Sequence, residues 1–316
     1  MCIRNNWTKT EVEEIYNRPL LDLVREASQI HAENHNPNEI KVSTLISVKT
    51  GACVEDCAYC AQSSRYKTGV EPHRFMSVQD AVDCAKRAKE NGATRVCLSA
   101  SWRKVNEDQY FNDLIEMAKE IRKMDLQVCC TLGMIDKEKV AKLKDAGFTA
   151  YNHNLDTSEN FYPEIISTRN YKDRLDTINE LIDAEMPFCS GGIIGLGETD
   201  NDRIDLLHTL STQKVHPYST PFNALVPIPG TPLENNKVVS VFEMVRMIAV
   251  ARILMPKTII CLAAGRMMIS DEGQAMCYLA GANSVFIGEK LLTTPSPDVN
   301  SDMTLFNTLG LKMMQN

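Results

Sequence analysis

Eight short runs of β-branched and small apolar residues alternate with seven amphipathic helical patterns along this chain. The runs are VSTLISV (42–48), TRVCLSA (94–100), QVCCTLG (127–133), AYNHNLD (150–156), FCSGGIIGLG (188–197), STPFNALV (219–226), TIICLAA (258–264) and SVFIG (284–288). Helical spacing of apolar residues occupies 77–91, 106–123, 136–146, 171–185, 200–213, 240–254 and 271–281. In the first of these, Val78, Ala81, Val82, Ala85 and Ala88 recur on one face behind a Ser77 cap. Strands joined through a helix run parallel, because the crossover returns the chain to the same end of the sheet. Eight such units in 316 residues suit an α/β fold, a single closed parallel (β/α)8 barrel of the TIM type, better than an open sheet.

Ahead of the first run, Thr10 and Glu13 have the spacing of a capping box, and Ile15, Leu20, Leu23, Val24 and Ala27 form an apolar series. Pro19 should split this region into two short helices. The expected organisation is an N-terminal helical extension, residues 1–38, followed by the barrel, residues 39–316. A formal charge of -7 argues against a nucleic-acid partner. No window holds the ~20 apolar residues of a membrane span. The opening MCIRNNWTKTEVEEIY lacks the apolar core of a secretion signal. These features predict a cytoplasmic protein with no membrane partner, in which eleven cysteines serve as ligands, reactive thiols or small core residues, not disulfides.

Directly after the first run comes GACVEDCAYCAQSSRY (51–66), with Cys53, Cys57 and Cys60 inside eight residues. Barrels carry their chemistry on loops leaving the C-terminal strand ends. A Cys-x3-Cys-x2-Cys loop can wrap three corners of an iron–sulfur cube and leave the fourth iron open to a small molecule. A structural zinc would close its shell with a fourth Cys or His; His73 lies thirteen residues beyond Cys60.

Strand parity sorts the other cysteines, since alternate side chains face opposite sides. In the third run Leu126, Val128, Cys130 and Leu132 form an apolar row suited to packing under helices. Gln127, Cys129 and Thr131 form the row expected inside the barrel, which makes Cys129 the candidate ligand and Cys130 a small hydrophobe. In the fourth run Asn152, Asn154 and Asp156 share the inner face, opposite Tyr151, His153 and Leu155. Three inward polar groups are costly unless something inside pairs with them. Cys97, Cys129, Cys189 and Cys261 fall in runs two, three, five and seven, where a barrel would gather them around a second cluster. Cys84, Cys277 and Cys2 read as packing or terminal residues.

CVEDCAYC resembles the signature of the radical S-adenosylmethionine superfamily. Residues from about 40 to about 310 resemble the biotin synthase family through GACVEDCAYCAQSSRY, YNHNLDTS, RLDTI, CSGGIIGLGET, GTPL, AVARILMP, AGR and GANSVFIGEKLLTTP. The resemblance implies a sulfurtransferase that inserts sulfur into dethiobiotin to form biotin. It implies that a [4Fe-4S] cluster on Cys53, Cys57 and Cys60 splits S-adenosylmethionine to a 5′-deoxyadenosyl radical, and that an auxiliary cluster is the sulfur source. It places Cys97, Cys129 and Cys189, with Cys261 in the fourth position, on that second cluster. It assigns Tyr59, Asn154, Asp156, Arg174, Gly191 and Gly192 to the cofactor. Asn152, Asn154, Asn223, Thr293 and Thr294 fall to the substrate. It also implies a flavodoxin- or ferredoxin-type reductant and a homodimer.

The well-described members carry an arginine as fourth ligand, in a stretch resembling RLSAGR. Here the stretch reads Cys261-Leu262-Ala263-Ala264-Gly265-Arg266. Thiolate in place of guanidine changes the charge and softness of the site. The resemblance implies a [2Fe-2S] auxiliary cluster, whereas Cys261 points to a four-iron type with an extra sulfide. A hydrogenase maturase or methylornithine synthase would share the barrel and first cluster but not the four interior cysteines. A non-enzymatic iron–sulfur carrier would leave the inward asparagines without a purpose.

Overall fold

The computed structural model describes residues 3–288 and 290–315. Two helices, α1 (Lys9–Tyr16) and α2 (Leu20–Asn34), precede the first strand. The strands are β1 (Glu39–Lys49), β2 (Arg95–Ala100), β3 (Gln127–Thr131), β4 (Ala150–Asn152), β5 (Phe188–Cys189), β6 (Gly192–Ile194), β7 (Ser219–Ala224), β8 (Ile259–Leu262) and β9 (Ser284–Phe286). They pair in parallel in chain order, and β9 returns to β1. β5 and β6 are two pieces of one stave, so eight staves close the barrel.

Helices α3 (Val78–Glu90), α4 (Gln109–Arg122), α5 (Lys137–Asp145), α7 (Tyr171–Asp183), α8 (Asp200–Ser211), α9 (Val241–Leu254) and α10 (Asp271–Leu279) form the crossovers, while α6 (Tyr162–Ile165) is a single turn after β4. Side chains of Ser77, Asp108, Asp136, Asn170, Thr199, Ser240 and Ser270 each accept an N–H from the first turn of the helix they precede. These caps occupy donors that helix geometry leaves free and so set where each crossover starts. After β9 come a hairpin, β10 (Lys290–Leu291) with β11 (Thr294–Pro295), then α11 (Val299–Leu309) and β12 (Lys312–Met313). β12 pairs in parallel with the start of β1.

Strand parity divides the barrel as expected. Val128, Cys130, Leu132, Tyr151 and Leu155 join the main core beneath the helices. Cys97, Cys129 and Cys189 form a separate group inside the barrel with Ala150. Among the described residues no helix is long and apolar enough to cross a membrane.

Three local features depart from the sequence reading. The fourth run is a strand only over Ala150–Asn152, so Asn154 and Asp156 lie beyond it and Asp156 takes a left-handed φ of 70°. The first capping box is Thr8 with Glu11, not Thr10 with Glu13. Both pairs have the same spacing. The earlier start puts Val12 and Tyr16, four residues apart, together on the buried face. The fifth run, continuous on paper, breaks at Ser190-Gly191. A Cβ on Gly191 would lie 2.0 Å from the Pro221 carbonyl oxygen, so only glycine lets the backbones of this stave and β7 approach so closely. Pro19 separates α1 from α2 as expected.

Candidate active site: two thiol cavities stacked in one barrel

β1 ends in a sharp turn, because Gly51 and Ala52 both take left-handed backbone angles (φ 76° and 50°). The loop then closes on itself. The Cys53 N–H donates to the Gln62 carbonyl at 3.0 Å, the Ser64 N–H to the Cys53 carbonyl at 2.8 Å, and the Cys60 N–H to the Cys57 carbonyl at 2.9 Å. Its intervening acids tie it to the segment after α6. Asp56 Oδ1 accepts the Ser167 and Thr168 N–H groups at 3.0 and 3.1 Å. Burial opposes the charge on Asp56, but the hydrogen bonds from Ser167 and Thr168 outweigh it and hold the carboxyl at about 2. The buried Glu55 accepts the Thr168 hydroxyl and lies 3.4 Å from the Arg103 guanidinium.

The three thiols open on an upper cavity of about 280 Å³, lined also by Tyr59, Asn152, Asn154, Asp156, Arg174, Asn223, Thr293 and Thr294. Arg174 is buried there, not paired with its neighbour Asp173 on the helix surface. Asp173 is the capping-box residue of α7. Arg174 donates to Asp156 Oδ2 and, through Nε, to the Tyr162 hydroxyl at 3.0 Å. Asp156 itself sits at φ 70°, held by N–H donation to the Gly191 carbonyl at 3.2 Å and by its own carbonyl accepting the Ile193 N–H at 2.8 Å. Gly191 and Gly192 line neither thiol cavity. A Cβ on Gly192 would come within 2.8 Å of the Asp156 carbonyl oxygen, so these glycines set where Asp156 lies.

A lower cavity of about 160 Å³ lies in the barrel interior, lined by Cys97, Cys129, Cys189 and Cys261. Ladder register brings them together: Cys97 pairs with Cys129, Cys189 with Asn152, and Cys261 with Ser284. Cys261 packs with Ala263 and Leu291 instead of with the other three, and Leu45 and Phe286 touch both groups. Asn152, Asn154 and Asn223 line both cavities. Asn223 is already engaged, with Nδ2 donating to the Gly192 carbonyl at 3.2 Å and Oδ1 accepting the Ala264 N–H at 3.0 Å. Asn154 Oδ1 is buried without a partner.

The Radical SAM superfamily matches residues 47–210, and the Biotin and Thiamin Synthesis associated domain matches residues 221–312. The biotin synthase of Cytophaga hutchinsonii is 53% identical over 99% of this chain and 93% of its own length. The mitochondrial biotin synthase of Arabidopsis thaliana is 54% identical over 98% of this chain and 82% of its own. This chain belongs to the biotin synthase family. Among solved structures it resembles methylornithine synthase (TM-score 0.80, 19% identity, 98% of this chain and 94% of that one). It also resembles the FeFe-hydrogenase maturase HydG of Carboxydothermus hydrogenoformans (TM-score 0.83, 17% identity, 97% and 76%). At that identity the likeness speaks for the barrel alone.

A radical S-adenosylmethionine enzyme works with a [4Fe-4S] cluster and S-adenosylmethionine, and the biotin synthase loop fits both. Burial pushes the Cys57 and Cys60 thiols up to about 11 and about 12, although the Arg169 guanidinium, 3.7 Å from Cys57 Sγ, partly offsets this at Cys57. Burial likewise pushes Cys261 up to about 12. Buried sulfurs of this kind stay protonated unless a metal replaces the proton. Asn154 Oδ1 is buried without a hydrogen-bond partner at the upper cavity, and Arg169 Nε, also without a hydrogen bond, lies 4.0 Å from Glu55 Oε2; both are open to a polar ligand. Among the described residues no three His, Cys, Asp or Glu side chains converge as they would around a single ion. The fit therefore rests on thiol chemistry and on these orphaned atoms.

Sequence reading missed Arg169, Glu55 and Asp56, whose side-chain partners lie far away in sequence and leave no local periodicity. It also missed Lys41 and Arg95 on the floor of the lower cavity. For Arg95 the signal existed, since it stands two residues before Cys97 on the same strand face.

Proposed function

We propose that this chain inserts sulfur into dethiobiotin to form biotin, as its family membership implies, with the two cavities as the two halves of one active site. The observation that carries the reading is the shared wall: Asn152, Asn154 and Asn223 line both cavities, so one small molecule held by them touches the contents of each. Cys53, Cys57 and Cys60 would hold the [4Fe-4S] cluster, and Cys97, Cys129, Cys189 and Cys261 the auxiliary one. When bound, the upper cluster with S-adenosylmethionine supplies a hydrogen-abstracting radical and the lower cluster supplies sulfur.

The chain's own residues orient the reactants. Tyr59 offers a ring face to the cofactor's adenine, and Asp156, fixed by Arg174 and by the close-packed Gly191 and Gly192, offers a carboxylate to its ribose. Asn154 presents its free acceptor. Asn152 adds an amide suited to a cyclic urea, which has both N–H donors and a carbonyl, and Asn223 keeps one N–H and one lone pair for it beyond its bonds to Gly192 and Ala264. Thr293 and Thr294, at the cavity mouth, supply hydroxyls to a substrate carboxylate. A flavodoxin- or ferredoxin-type protein delivers electrons, and two copies of the chain form a homodimer.

Protein reconstituted with iron and sulfide should convert dethiobiotin to biotin only when S-adenosylmethionine and a reductant are both present. Full cluster loading without biotin formation would overturn the reading in favour of an iron–sulfur carrier.

The auxiliary cluster is proposed to be of four-iron type with an additional sulfide. Cys261 is shorter than the arginine it replaces and packs apart from the other three thiols, so a larger core is needed to span all four. Reconstituted protein is then expected to hold about eight irons per chain, two four-iron cores. A Cys53/Cys57/Cys60 triple alanine variant should keep about four. Two irons and a [2Fe-2S] spectrum in that variant would show Cys261 standing in for arginine on the smaller cluster.

A further inference from the structure

Two cations are buried at the floor of the lower cavity, and among the described residues their hydrogen-bond partners are neutral. Lys41 and Arg95 are 7% and 5% exposed. Lys41 Nζ donates to Gln127 Oε1 and to the Tyr218 hydroxyl, both at 2.8 Å. Arg95 Nε and Nη2 donate to the same Gln127 Oε1 at 3.2 and 3.0 Å. The Arg95 guanidinium also lies 4.6 Å from the Tyr218 ring centroid. One amide oxygen and one phenol thus serve two like charges. Among the described residues neither cation forms an ion pair with a carboxylate.

The next cation near this cavity, Arg266, is different. It is buried against Asp302 and hydrogen-bonded to Gln274. Burying a charge without an opposite one is among the costliest things a fold can do, so the floor lacks an anion. Register shows where that anion would sit. Arg95 stands two residues below Cys97 on the inner face of β2. Lys41 pairs across the ladder with Ser284, which in turn pairs with Cys261. Four thiolates around an iron–sulfur core with a 2+ charge carry a net charge of about −2, and an additional sulfide makes the group more negative still, so the two cations offset much of its charge.

We propose that Lys41 and Arg95 are the counter-ions of the auxiliary cluster. They are positioning residues that hold an anionic, all-thiolate group on the barrel floor and make it easier to reduce. The inference rests on the reading of the lower cavity as an iron–sulfur site. Cys261 makes the demand sharper, because it adds a negative ligand where the family's described members have a guanidine.

The test uses the Cys53/Cys57/Cys60 triple alanine variant, which leaves only the lower site, reconstituted with iron and sulfide. Lys41→Met and Arg95→Met should each shift the cluster's midpoint potential to more negative values. Each is expected to weaken the hold on the reduced form at least tenfold, about 59 mV for one electron. Lys41→Arg and Arg95→Lys, which keep the charge, should restore most of the shift. The rise in Tm on reconstitution should shrink in the Met variants, while the Tm of the metal-free protein stays level or rises, since an uncompensated cation has gone.

A packing role would instead lower the metal-free Tm and leave the potential unmoved, and that result overturns the proposal. If Arg95→Met does not fold, Lys41→Met decides by the same two readouts. No iron in the parent triple variant would overturn the iron–sulfur reading of the lower cavity, and the counter-ion assignment with it.

Discussion

Changing any one of Cys53, Cys57 or Cys60 to alanine is expected to bring 5′-deoxyadenosine formation down to background. A cube held by three thiolates has no spare protein ligand, so losing one leaves an iron without its anchor. The loop offers no substitute. Asp56 is committed to Ser167 and Thr168, and Glu55 to Thr168 and Arg103. The strained turn at Gly51 and Ala52, with the backbone bonds around Cys53 and Gln62, keeps the remaining thiols from migrating to fill the gap. Chromatographic quantitation of 5′-deoxyadenosine after anaerobic incubation with S-adenosylmethionine and dithionite provides the measurement. Near-normal cleavage in any single variant would remove these thiols from the cofactor site.

Adjacent cysteines on β3 should behave as opposites. Cys129→Ala should strip or deplete the lower cluster and stop biotin formation, because its side chain faces the cavity with Cys97 and Cys189. Cys130, one residue on, is 0% exposed and belongs to the core beneath the helices. Cys130→Ala should leave iron content unchanged and cost about 1 kcal/mol, the range of a modest core truncation. Iron and sulfide analysis with urea unfolding of both variants separates the two effects. Loss of iron in Cys130→Ala with retention in Cys129→Ala would reverse the ligand assignment.

That contrast also shows what was legible in the chain before folding. A strand has a side-chain period of two, so Cys129 and Cys130 could be sorted to opposite faces from neighbours alone, and Asn152 to the inner face; Asn154 and Asp156 lie beyond the end of β4, where His153 reaches the upper cavity beside them and parity no longer decides. The same rule applied two residues ahead of Cys97 reaches Arg95. The helix starts were legible where one cap candidate preceded an apolar series. They were ambiguous at Thr8 and Thr10, where two identical boxes overlap and only the burial of Val12 and Tyr16 decides between them.

The sequence by itself determined the alternation of strand and helix, hence the barrel, and the thiol spacing that demands an iron–sulfur group at the first loop. These are local properties, set by periodicity and by the reach of a few residues. Tertiary structure alone decided that Arg174 turns inward to Asp156, that Asp56 clasps Ser167 and Thr168, and that the stave after β4 breaks at Gly191 to let Pro221 approach. It also decided that Lys41 and Arg95 share one amide oxygen beneath four thiols. Each depends on which distant strands become neighbours and in what register, and closure of the barrel settles that for all eight staves at once.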